Sequence, residues 1–180
     1  MRHDAVTLYI GMICVLASLA QAEEIRVADT IELRAILAHV APGMTVLLSP
    51  GVYQGGLYVS DLAGTQGAPI VIQGADPNAP PVFRGSGGQA FHLADCSHVV
   101  LRNIQVEGYA GNGINIDDGG SFETPSHHIT LENITILETG PAGRHCRFRN
   151  RTASISQRSA PNRTDGFRLQ PKTVAFRGAA

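Results

Sequence analysis

Residues 98–108 read HVVLRNIQVEG and residues 128–138 read HITLENITILE. Val99-Val100-Leu101 aligns with Ile129-Thr130-Leu131, Asn103 with Asn133, and Ile104-Gln105-Val106 with Ile134-Thr135-Ile136. In both copies the outer positions of each triplet are apolar, while positions 100, 105, 130 and 135 accept Val, Thr or Gln. A period of two is the signature of a strand with one buried face. It predicts that Val99, Leu101, Ile104 and Val106 point inward, with a two-residue corner between two short strands.

A third run precedes each copy. AFHL (90–93) aligns with GINI (113–116), placing Phe91 and Leu93 opposite Ile114 and Ile116 at an offset of 23 residues. The later runs are offset by 30, and the extra seven residues fit a loop inserted in DDGGSFETPSH (117–127). Three short strands per coil of about 23 residues predict an all-β solenoid, a parallel β-helix in which each coil stacks on the last. Less regular β-rich runs at TVLL (45–48), GLYV (56–59), PIVI (69–72) and PVF (81–83) precede it, separated by Gly, Pro, Asp and Asn. About five coils fit between residues 43 and 143.

Asn103 and Asn133 then sit at corners. Asparagine tolerates the left-handed conformation, and its amide can bond the equivalent residue of the next coil, giving a structural ladder. Asn133-Ile134-Thr135 is also a glycosylation sequon, as are Asn150-Arg151-Thr152 and Asn162-Arg163-Thr164. The corner reading is preferred for Asn133. Upstream, DTIELRAILAHV (29–40) predicts a short amphipathic helix capped by Asp29 or Thr30. Its apolar face is expected to combine Ile31, Ala35 and Leu37, or Ile36 and Val40. A solenoid end exposes apolar cross-section, so this helix is expected to cap the first coil.

The ends differ from the middle. Residues 1–22 carry Arg2, an apolar run from Ala5 to Leu19, and then Ala20-Gln21-Ala22. This is the pattern of a cleaved signal peptide, too short to span a membrane, so a secreted or periplasmic protein with no stable span is expected. Residues 23–143 hold four Arg, no Lys and 13 Asp plus Glu, a net charge of −9. Residues 144–180 hold eight Arg and one Lys against Asp165, a net charge of +8, with no strand or helix period. A basic arm can bind nucleic acid or another polyanion. Export argues against nucleic acid. An Arg-rich, patternless segment after an abrupt switch also reads as out-of-frame translation, and a disordered tail is the expectation. After Ala22 only Cys96 and Cys146 remain, so there is no disulfide framework.

ELRAILAHVAPGMTVLLSPGVYQG (32–55) followed by GTQGAPIVIQG (64–74) resembles the opening of right-handed parallel β-helix proteins of the pectate-lyase-like superfamily, the chondroitinase B and alginate lyase type. The resemblance covers about residues 25–143. Such proteins are mostly secreted and act on polysaccharides as lyases, hydrolases, epimerases or esterases. Their sites lie on the outer face of the first strand of each coil and the adjoining loops. The resemblance therefore implies an acidic polysaccharide as partner and uronic-acid lyase chemistry, with Ca²⁺ as a candidate cofactor. The alternatives are a non-catalytic carbohydrate-binding or structural β-helix and a glycoside hydrolase-like one.

On that face the chain offers His92 and Asn115 pointing outward, with Asp117 and Asp118 in the following loop and Glu123, His127 and His128 nearby. His92, Asn115, Asp117 and Asp118 are the candidate substrate contacts. Asp117 and Asp118 are also candidate Ca²⁺ ligands, since Ca²⁺ takes hard oxygen donors. An adjacent Asp pair is equally a common turn. The lyases of this type use Lys or Arg as base, and residues 23–143 hold no Lys. No catalytic residue is assigned from sequence. A His-rich metal site is a third reading, but adjacent His127 and His128 are expected to face opposite ways on a strand and His98 echoes His128, so a structural role at the strand start is preferred. Tyr53, Tyr58 and Tyr109 are candidate stacking surfaces for sugar rings.

Overall fold

The computed structural model describes residues 23–117, 119, 126–140, 144–147 and 152–156, the last two spans as backbone. The leader-like segment, Asp118, Glu123 and most of the basic tail lie outside the described residues. The described chain is mostly β with one short helix. Its strands are β1 (Glu24–Val27), β2 (Thr45–Leu48), β3 (Val52–Gln54), β4 (Leu57–Ser60), β5 (Ile70–Gly74), β6 (Val82–Arg84), β7 (Gln89–Ala94), β8 (Val99–Glu107), β9 (Gly113–Asp117), β10 (His127–Thr139), β11 (Arg144–Arg147) and β12 (Thr152–Ser156). The helix is α1 (Thr30–Leu37). The runs at 45, 57, 70 and 82 are strands; β1 and β3 are additions that the alternation alone does not mark.

Pairing from β1 to β10 is parallel throughout, and it forms three faces. One face is β4-β7-β9. A second runs from β1 through β2 and β5 to the first halves of β8 and β10. The third joins β3 and β6 to their second halves. This is a β-helix-like coil.

Side chains stack in columns because pairing is in register. Val46 is opposite Ile72, Ile72 opposite Leu101, and Leu101 opposite Leu131. Tyr53, Phe83, Val106 and Ile136 form a second column, and Leu57, Phe91 and Ile114 a third. Val99, Leu101, Ile104 and Val106 are at most 1% exposed, as the alternation requires. Burying each such side chain contributes roughly 1.5–3 kcal/mol.

β8 and β10 each run unbroken through a two-residue corner, Arg102-Asn103 and Glu132-Asn133, whose Asn is left-handed at φ +54° and +49°. The Asn133 amide donates to Oδ1 of Asn103 at 2.8 Å, so the corner residues form a ladder between coils.

Asp29 caps α1, its Oδ1 accepting from the N–H groups of Ile31 at 2.8 Å and Glu32 at 2.9 Å. The buried face is Leu33 and Leu37, while Ile31 is 79% exposed. Of the expected faces, Ile36 and Val40 do pack against the core, whereas Ile31 and Ala35 are exposed and Leu33 joins Leu37 as the buried pair. Thr30 Oγ1 accepts from Gln54 N, and Arg34 donates to the carbonyls of Gly55 and Gly56. These contacts seat the helix with the i, i+4 pair 33/37 facing the core.

Beyond β10, β11 pairs antiparallel with its second half and β12 with its first half. No helix among the described residues is long and apolar enough to cross a membrane.

Candidate functional site on the outer face of β4, β7 and β9

Alternation that sends Leu57, Phe91 and Ile114 inward sends their successors outward. Register places Tyr58 beside His92, and His92 beside Asn115, one on each successive coil. Asp117 has the same parity as Asn115. It is the last residue of β9 rather than part of the loop, so it points to the same face.

The side chains meet there. His92 Nε2 lies 2.6 Å from Asp117 Oδ2, with about three-quarters of each side chain shielded from water. Asn115 Nδ2 donates to the same oxygen at 2.8 Å, and Gly119 N donates to Oδ1 at 3.0 Å. Behind it, the Ser126 hydroxyl donates to the Asp117 carbonyl at 2.6 Å. Gln89 Nε2 stands 3.2 Å from His92 Nδ1. Tyr58 meets the imidazole edge-on at 4.9 Å between ring centres and is 61% exposed.

The hydrogen-bond pattern sets the imidazole tautomer. An ionised carboxylate only accepts, so Nε2 carries the proton. Gln89 donates to Nδ1, which keeps its lone pair.

Two hollows flank this row. One of about 310 Å³ lies between α1 and β4, lined by Arg34, Tyr58 and Ser60 among others. The other, of about 370 Å³, lies at the entry to β7 and includes Arg84, Gln89 and Tyr109 in its lining. The Tyr109 hydroxyl is buried there against the backbone of Gly55.

The structure thus brings His92, Asn115 and Asp117 together; Asp118 and Glu123 lie outside the described residues. Of the three tyrosines only Tyr58 is available to a ligand, since Tyr53 is fully buried and Tyr109 is 2% exposed. Tyr53 instead donates towards the carbonyls of Val27 and Ser49. Gln89 escapes the sequence reading because the register shifts between Gln89 and Phe91, a bulge that breaks the period of two.

The site's charge is also informative. Arg102 pairs with Glu132 at 2.7 Å, Arg84 pairs with Glu107, and Arg34 is spent on backbone carbonyls. The carboxylate of Asp117 already accepts three hydrogen bonds, from His92, Asn115 and Gly119. Ca²⁺ takes about 6–8 oxygen ligands. Asp118, the other expected ligand, lies outside the described residues, and Asp117 alone supplies one engaged carboxylate.

His127 and His128 do not face opposite ways. His128 takes φ +54°, the left-handed conformation that breaks strand alternation, and the two Nδ1 atoms lie 2.8 Å apart. This corrects the expectation from spacing.

No family model matches the chain, and no curated protein matches its sequence. Solved structures do match. The PL6 family alginate lyase AlyGC superposes with a TM-score of 0.51 at 16% identity, over 63% of this chain and 15% of that one. A single-residue variant of the same enzyme gives the same values. An alginate lyase from Paenibacillus sp. str. FPU-7 aligns with a TM-score of 0.46 at 20% identity, over 66% of this chain and 44% of that one. The chain therefore spans about one-seventh of the length of AlyGC. The likeness is one of fold: the parallel coils described above are similar to part of the β-helix of an alginate lyase.

Proposed function

We propose that this is an exported protein that processes acidic polysaccharide, related to the uronic-acid lyases, with Tyr58, His92, Asn115 and Asp117 as its contact surface. The observation that carries the reading is the His92–Asp117 pair, held on an outward strand face beside the exposed ring of Tyr58. A carboxylate on one imidazole nitrogen orients the ring and stabilises its protonated form. The other nitrogen, Nδ1, is then the basic position.

For a uronate ring lying on Tyr58, the chemistry is β-elimination. The ring displaces Gln89 from Nδ1. His92 takes the proton from the carbon α to the carboxylate, and the C–H electron pair forms the new C=C bond. The glycosidic oxygen leaves from the β-carbon and takes a proton from water. Asp117 holds the imidazolium while Asn115 and Gly119 fix Asp117. No step is routed through Ca²⁺.

A second reading is a non-catalytic carbohydrate-binding β-helix. It is favoured by one observation: among the described residues Arg34, Arg84 and Arg102 are each engaged by other groups rather than by the row around His92. The glycoside hydrolase reading needs two carboxylates flanking the bond, and Asp117 is already committed to three hydrogen bonds. The finer structural readings belong to the same proposal: a right-handed helix of about five coils, α1 as its cap, cleavage after Ala22, and an out-of-frame tail from residue 144.

The test is to incubate the chain with a panel of uronic-acid polymers, with and without chelator, and follow ultraviolet absorbance of the unsaturated product. Product formation lost in His92→Gln supports the lyase. Retention on the polymers without product supports the binding module, and neither outcome with any polymer overturns both. Continued β-type text in another frame beyond residue 143 would support the tail reading; its absence from both other frames would reject it.

A further inference from the structure

We propose that His98, His127 and His128 form a binding site for a divalent transition-metal ion. They lie where the chain enters β8 and β10, on a different face from the His92–Asp117 pair. One ligand atom from each imidazole can be chosen so that all three lie within 4.8 Å of one another.

Two features of the fold build the cluster. His98 and His128 are equivalent residues one coil apart, and both take the left-handed corner conformation, at φ +49° and +54°. Stacking of coils therefore places their rings nearly parallel, 4.4 Å apart at 11°. That pair alone would be a ladder like the one at Asn103 and Asn133. His127 is what distinguishes it. The corner at His128 undoes the alternation, so the His127 ring stands at 89° to His98 and 87° to His128. Its Nδ1 lies 2.8 Å from that of His128. A ladder does not require this third imidazole.

The donor set selects the ion. Three imidazoles suit Zn²⁺, Cu²⁺ or Ni²⁺, whereas Ca²⁺ and Mg²⁺ require oxygen. At a metal–nitrogen distance of about 2.0–2.1 Å, tetrahedral geometry sets the ligand nitrogens about 3.3 Å apart. The ligand atoms now spread over up to 4.8 Å, so the rings must draw together to hold an ion. Three protein ligands leave a coordination position for water. The Nδ1 atoms of His127 and His128 already face each other at 2.8 Å, so one ion can engage both rings. His127 and His128 are separated from His98 by about 30 residues, so the ion ties adjacent coils together.

Co²⁺ titration of the tag-free full chain tests this. The expected result is a saturable visible spectrum at one ion per chain, displaced by Zn²⁺. His98→Asn and His128→Asn keep a residue that tolerates the corner, so the coil stays folded, which far-ultraviolet circular dichroism checks. Each is expected to weaken Co²⁺ by more than tenfold, since losing even an outer-shell partner costs about 10–100-fold. His127→Gln should do the same, and exposed His39→Gln should change nothing. Zn²⁺ should raise the melting temperature of the parent chain and not of His128→Asn. A titration without saturation overturns the proposal, as does an affinity that survives all three substitutions.

Discussion

His92 and Asp117 come from adjacent coils, 25 residues apart in sequence, and meet at 2.6 Å on the outer face of the solenoid. Neither coil alone contains the pair, so its geometry depends on the stacking of β7 on β9. A side chain that both orients and stabilises an imidazolium acts mainly on the chemical step.

If the lyase reading holds, His92→Gln and Asp117→Asn should each lower kcat by about 10²-fold or more with smaller changes in KM, the scale of general acid–base catalysis. Product absorbance under saturating polymer checks this. Equal effects on KM alone would assign the pair to binding instead.

Asp117 also organises its loop. Its replacement by Ala strips partners from His92, Asn115 and the Gly119 N–H. Each hydrogen bond contributes about 0.5–1.5 kcal/mol net, more when charged. Chemical denaturation should show a loss of about 1–3 kcal/mol, while Tyr58→Ala, an exposed change, should stay within about 0.5 kcal/mol.

The core columns make a sharper comparison. Leu101→Ala should cost about 2–5 kcal/mol, because it opens a cavity between Ile72 and Leu131. Val100→Ala, one residue away on the outer surface, should cost less than about 1 kcal/mol. Urea unfolding of both variants checks the alternation directly.

Asn133 serves two roles at once. Asn133→Ala loses the ladder bond and places a residue less tolerant of φ +49° in the corner. A loss of about 1–2 kcal/mol is expected. Asn133→Gly should lose less, because glycine accepts that conformation freely.

Alkaline pH provides a separate measurement. Burial pushes the Cys96 thiol from its ordinary 9.0 up to about 11. The unfolded thiol then ionises before the folded one. Stability is full below pH 9 and falls as pH rises towards 11, by up to about 2–3 kcal/mol. Cys96→Ala should show a shallower loss across that window. In the native state Cys96 should also resist alkylation at pH 8 that proceeds readily in urea.

The scaffold was more legible in the sequence than the site. Stacked coils repeat the same environment, so Val99 and Ile129, or Phe91 and Ile114, must solve the same packing problem and carry similar residues. The outward row was legible for the same reason: parity alone puts His92 and Asn115 on one face. Gln89 was hidden by a bulge, and the meeting of His127 with His128 by a left-handed residue that looks like ordinary strand text. The helix face was misjudged because α1 has two turns, too few for periodicity to separate Ile31 from Leu33. Contacts across coils, such as His92 with Asp117, depend on register that a single repeat offset of 23 or 30 only implies.

A parallel solenoid is, in polymer terms, a chain with a live end: each coil offers its edge as the template for the next. On two of the three faces that end is quenched here, because β11 and β12 run antiparallel along β10 and cover both halves of its edge. Another coil cannot add there in parallel register. On the third face β9 is the last strand of its sheet, and no described strand continues it. Among the described strands the β9 edge, beside Asn115 and Asp117, is the one at this end with no partner strand, so an extended segment pairing there would lie along the row of Tyr58, His92 and Asn115.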